Sequence, residues 1–135
     1  MSAPTHPTTA DVVDADTRRP PATVLVAVGL TVLVTLVGGY GAIYFTGLGG
    51  FTESGLTFLV AYEFLTALGL VSAVAMARRS ALGRAGLVTY GIWVTTFNLF
   101  KIGYIHETEA LPFAVVGLLV LALGLSRSAR AYASR

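Results

Sequence analysis

The apolar residues of this 135-residue chain come in blocks rather than stripes. No charge occurs between Arg19 and Glu53, a run of 33 residues. A helix needs only about 20 apolar residues to span a bilayer. A soluble helix of that length carries a polar face, and this run has none. Three further apolar blocks follow, separated by short polar breaks. The pattern predicts an all-α integral membrane bundle of four transmembrane helices, at about 22–46, 54–77, 82–104 and 110–126. No segment alternates with the two-residue period of a membrane-barrel strand.

The flanks read differently. Residues 1–21 hold four of the five prolines together with Thr, Ala and Asp, the composition of a disordered tail. Arg18-Arg19 is followed by Pro20-Pro21 and by an apolar run too long for a cleaved signal, so the first span is expected to stay in the chain. Residues 127–135 read as a short basic tail.

Composition sharpens the class. The chain is 55% hydrophobic and 12% charged, with a mean hydropathy of +0.75, against roughly 25% charged residues in soluble domains. The basic balance therefore belongs to a membrane protein and implies no nucleic acid. There is no cysteine, which excludes disulfide, thiolate-metal and thiol-redox chemistry. Two histidines, His6 and His106, leave no multi-histidine metal site and no bis-histidine haem, so no cofactor or metal is expected. Arginine outnumbers lysine eight to one, a bias that fits a GC-rich bacterial genome.

The arginines also orient the chain. In a four-span arrangement Arg18, Arg19, Arg78, Arg79, Arg84, Arg127, Arg130 and Arg135 share one side, and Lys101 stands alone on the other. Positive residues stay inside, so both termini are expected in the cytoplasm, with the protein in the plasma membrane. Ten of the fourteen aromatics then fall in the outer half, among them Tyr40, Tyr44, Phe58, Tyr62, Phe97 and Tyr104. An interfacial belt accounts for part of this. An outer surface for a lipid or quinone is the functional alternative.

Glu63 is the most informative residue. It lies about 14 Å below the outer end of its helix, near mid-bilayer. A charge there costs at least about 2.5–3.5 kcal/mol, so such residues face the bundle and have a partner or a role. It either works as a functional carboxyl or ties helices together as a neutral acid. Thr95, Asn98 and Lys101 recur every three residues and form one polar stripe on the third span. Glu63, Thr95, Asn98 and Lys101 are thus expected to form a buried polar network in the outer half. The simpler alternative has Lys101 snorkelling outward and Asn98 bonding a neighbouring helix.

The stretch "HETE" adds outer-face candidates: His106, Glu107 and Glu109, with Glu53 on the neighbouring loop. The spacing is not that of H-E-x-x-H, because Ala110 occupies the second histidine position. Capping explains it more simply. Thr108 is expected as N-cap of the fourth helix, Glu109 in its first turn beside the positive dipole end, and Pro112 where its missing N–H costs little. Gly38 with Ala42, and Gly69, Ala73 and Ala77, form small-residue ridges suited to close helix contact.

The stretch "YEFLTALGLVSAVAMARRSALGRAGLVTYG" resembles the second and third spans of the DoxX-like superfamily of small four-helix membrane proteins. The likeness lies in a mid-span glutamate, a Gly-Leu-rich helix end and a short basic loop. It implies a four-helix fold and association with membrane redox systems. Three functional classes follow. The leading one is a non-catalytic accessory subunit within a larger membrane complex or homo-oligomer. The second is a small-molecule or proton-coupled transporter using Glu63. The third is a membrane redox-associated enzyme of the DoxX-like type.

Overall fold

The computed structural model describes residues 19–134, and all its regular structure there is helical. The tail read over 1–21 lies outside the described residues apart from its last three positions. Helix α1 covers Ala22–Leu48, α2 Glu53–Ala77, α3 Ala81–Phe100, α4 Leu111–Leu125 and α5 Arg127–Ala133. A wide π-type turn, Lys101–Ile105, prolongs α3, and a 3-10 turn, Thr108–Ala110, leads into α4. Three helical stretches, Ala22–Leu48, Glu53–Ala77 and Thr108–Leu125, are long and apolar enough to cross a membrane. Helix α3, which carries Arg84 and Asn98, is not among them and packs between α2 and α4.

Local chemistry sets the boundaries. Thr52, Ser80 and Ser126 lie just ahead of α2, α3 and α5, and each side chain accepts a hydrogen bond from the amide three residues on, satisfying an otherwise orphaned helix donor. The α1–α2 turn passes through Gly50 and Phe51 with positive φ, and the α2–α3 turn through Arg79 at φ 66°. Both are sharp chain reversals that bring consecutive helices side by side.

The α3–α2 and α3–α4 interfaces close by removing side chains. A Cβ on Gly69 would run into Thr35 and Tyr90, and one on Gly117 would lie 2.6 Å from Thr95 Oγ1. Two core clusters result. Toward the α2–α3 turn, Val24, Ala27, Met76, Leu87 and Val120 pack with Ala129, Tyr132 and Ala133. Higher up, Val34, Tyr90 and Val94 pack with Phe113 and Val116. Within the basic tail read over 127–135, residues 127–133 form the short helix α5, which lays its apolar side against the lower cluster. Tyr132 donates to the Ala77 carbonyl at 2.7 Å, and Arg84 Nε donates to the Gly124 carbonyl at 2.9 Å. Each supplies a donor to a carbonyl that the end of a helix leaves open.

Candidate functional site

All four long helices contribute to an internal cavity of about 30 Å3, room for one or two waters. Thr35 and Gly38 of α1, Tyr62 and Thr66 of α2, Tyr90 and Asn98 of α3, and Phe113 of α4 are on its wall. Several wall groups are satisfied locally. Thr35 donates to the carbonyls of Thr31 and Val32, Thr66 to that of Tyr62, and Asn98 Nδ2 to that of Val94. The hydroxyls of Tyr62 and Tyr90 make no hydrogen bond among the described residues, although Tyr90 is only 4% exposed. The cavity is thus apolar in its frame and carries a few polar groups of uncommitted capacity.

Glu63 sits beside this cavity, in the seam between α1 and α2. Its Oε1 is buried and has no hydrogen-bond partner among the described residues. It points at the bare backbone of Gly39, whose missing Cβ would stand 3.6 Å from Oε1 and 3.0 Å from Thr66 Oγ1. Thr66, on the cavity wall, and the Glu63 carboxyl thus face the same Gly39 notch. A buried unsatisfied polar atom costs about 1–3 kcal/mol, and more when charged.

The other members of the expected network have partners elsewhere. Lys101 Nζ pairs with Glu107 Oε2 at 3.0 Å and lies 5.8 Å from the centre of the Phe97 ring. Thr95 donates to the Gly91 carbonyl at 2.7 Å, one turn back on its own helix. Among the described residues no hydrogen bond or ion pair joins Glu63 to Asn98 or Lys101. The wide turn at the end of α3 explains the choice made by Lys101. The amides of His106 and Glu107 both reach back to the Lys101 carbonyl, and His106 adopts a left-handed conformation. That fold-back delivers the Glu107 carboxylate to the ammonium.

Between this pair and the cavity stands an aromatic trio. The rings of Phe58, Tyr62 and Phe97 are 5.1–6.1 Å apart, the separation of attractive edge and tilted contacts. Two of the three also line the cavity, so the trio closes it on the side of the ion pair.

The remaining outer-face candidates are spread out. Glu53 starts α2 and is exposed, beside Thr52, Ser54 and Thr57. His106 and Glu109 are exposed on the α3–α4 connection. Thr108 is not the N-cap of α4. It opens the 3-10 turn, in which the Ala110 amide bonds the Glu107 carbonyl, so a backbone group replaces the expected side-chain cap. Pro112 does lie in the first turn of α4. Among the described residues no group of three His, Cys, Asp or Glu is placed to hold a metal ion.

Sequence reasoning passed over Tyr90 and the α1 threonines, and read Tyr62 only as one of the outer aromatics. Their signal was present as spacing. Tyr90, Val94 and Asn98 repeat every four residues, as do Thr31, Thr35 and Gly39, and each set lies on one helix face.

No family model, curated protein or solved structure matches this chain.

Proposed function

We propose that this chain is a four-span protein of a bacterial plasma membrane, with both termini in the cytoplasm, acting as a non-catalytic partner subunit of a larger membrane assembly. The observation that carries the reading is the buried, unpaired Oε1 of Glu63 in the glycine-notched seam of α1 and α2. A membrane helix retains an intramembrane carboxyl when it has a role or a partner, and this chain supplies no donor among its described residues. Glu63 as a whole is only half-buried, so a neighbouring subunit's helix packed against α2 would bring a hydrogen-bond donor to the rest of the carboxyl at mid-depth, where such a bond also fixes helix register. Exposed aromatics on α1, Tyr40 at 72% and Phe45 at 70%, offer apolar area beside that seam for the same contact.

The test is purification of tagged full-length chain in mild detergent, with mass spectrometry of what accompanies it. A defined membrane protein is expected with the wild type and is expected to be lost with Glu63→Leu. The Leu variant is expected to unfold no more easily than the wild type, since it removes an unsatisfied group. No enriched partner, or a partner undiminished by Glu63→Leu, overturns the reading.

A second reading has its own observation. The cavity, whose wall residue Thr66 shares the Gly39 notch with Glu63, suits a proton or small polar species handled by that carboxyl. Under this reading, reconstituted vesicles show proton-gradient-driven uptake that Glu63→Gln abolishes.

A further inference from the structure

A groove runs along the last two turns of α2. Its walls are Leu70, Val71, Val74 and Ala75, and it ends at Arg78 and Ser80. From Leu70 to Arg78 is eight residues, or about 12 Å of helix. That reaches most of the way from the membrane surface to the middle of a hydrocarbon core about 30 Å thick. It is an open surface groove and not an enclosed cleft, with Val71 68% and Val74 51% exposed, the form that takes an acyl chain laid along the helix. The deep part is purely aliphatic. The shallow part carries a guanidinium and a hydroxyl.

The α2–α3 turn decides which arginine serves the groove. Arg79, at φ 66°, turns to place its guanidinium 5.1 Å from the Tyr132 ring, toward α5. Arg78 is exposed and makes no ion pair or hydrogen bond through its side chain among the described residues. Arg84, Arg127 and Arg130 belong to the same end of the bundle. The described carboxylates, Glu53, Glu63, Glu107 and Glu109, all lie in the opposite half. The groove at that opposite end, along Thr52, Glu53, Ser54 and Thr57, is polar and carries a carboxylate instead.

We infer that the Leu70–Ser80 groove binds an anionic glycerophospholipid, with one acyl chain along Leu70, Val71 and Val74 and its phosphate at Arg78. Charge complementarity selects the anionic headgroup, and a guanidinium offers the planar donors that phosphate oxygens accept. The outer groove, with Glu53 in place of an arginine, repels the same headgroup. This inference rests on the membrane placement of α2 and not on the partner-subunit reading, so each can fail without the other.

The test uses detergent-purified full-length chain titrated with an equimolar mixture of phosphatidylglycerol and phosphatidylcholine and read by native mass spectrometry. The wild type is expected to retain phosphatidylglycerol about fivefold over phosphatidylcholine, which is about 1 kcal/mol for one arginine at an anionic surface. Arg78→Gln, an exposed change that leaves packing intact, is expected to bring the ratio close to one. Val74→Trp, which fills the groove, is expected to lower retention of both lipids. Arg130→Gln, on α5, is expected to keep the wild-type ratio. Equal retention of the two lipids by the wild type overturns the inference, as does an unchanged ratio in Arg78→Gln. So does an equal loss in Arg130→Gln, because a diffuse basic field and not the groove would then select the lipid. If Val74→Trp fails to fold, the comparison of Arg78→Gln with Arg130→Gln still decides.

Discussion

Replacing Gly117 by alanine adds one methyl group at the tightest point between α3 and α4. The new Cβ would lie 2.6 Å from Thr95 Oγ1 and 2.9 Å from the Thr95 backbone nitrogen. The nitrogen belongs to a helix and cannot turn aside, so the helices must separate. Overpacking of this kind costs about 1–3 kcal/mol. Thr95 must also abandon its 2.7 Å bond to the Gly91 carbonyl, a loss of about 0.5–1.5 kcal/mol. Against this, alanine is favoured over glycine within a helix by about 0.5–1 kcal/mol. The balance is a destabilisation centred near 2 kcal/mol, or about 30-fold in the unfolding equilibrium. Gly29 provides the control, because a Cβ there meets nothing within 4 Å, and Gly29→Ala should gain stability from helix propensity alone. Unfolding in mixed dodecyl maltoside and SDS micelles, followed by fluorescence of Trp93, the single tryptophan, reads the difference on α3 itself. A Gly117→Ala midpoint at or above that of the wild type refutes the argument, since the same methyl group would then cost nothing at a helix contact.

Two further outcomes separate alternatives. A double-mutant cycle on Lys101 and Glu107 should give a coupling of no more than about 1 kcal/mol, because the two side chains are 19% and 41% exposed. Exchanging those two charges should restore stability, whereas exchanging Lys101 with Glu63 should not. The natural absence of cysteine also makes orientation directly measurable. A single cysteine in place of Ser54 should react with a membrane-impermeant maleimide on intact cells, and one in place of Ser134 only after lysis. The opposite result inverts the chain, and labelling of both positions means that it inserts both ways.

The helix positions were legible because uninterrupted apolarity leaves little choice. Three of the four expected segments appear as helices long and apolar enough for a membrane. What the pattern could not resolve was partner choice. Thr95, Asn98 and Lys101 share one stripe by spacing, but spacing says nothing of a competitor. The wide turn after Phe100 brings Glu107 back to Lys101, and backbone carbonyls one turn away take Asn98 and Thr95. The 3-10 turn at Thr108 was hidden for a similar reason, since a carbonyl can replace a side-chain cap without leaving a mark in the sequence. Helix α5 was missed because its seven residues are too few to show a period, although Ser126 three residues before Ala129 was a readable start. The cavity depended on threonine and tyrosine rows that become conspicuous only when four helices face one another.

The Thr23 and Ser128 hydroxyls meet at 2.6 Å across 105 residues of chain. The beginning of α1 and the short α5 thus close the bundle into a ring at one end. Loop-closure entropy rises with the length of chain enclosed, so this junction becomes favourable only after the intervening helices have shortened the effective loop by packing. It is therefore a late contact in assembly, and once made it holds the start of α1 and α5 over the buried cluster of Val24, Ala27 and Ala129.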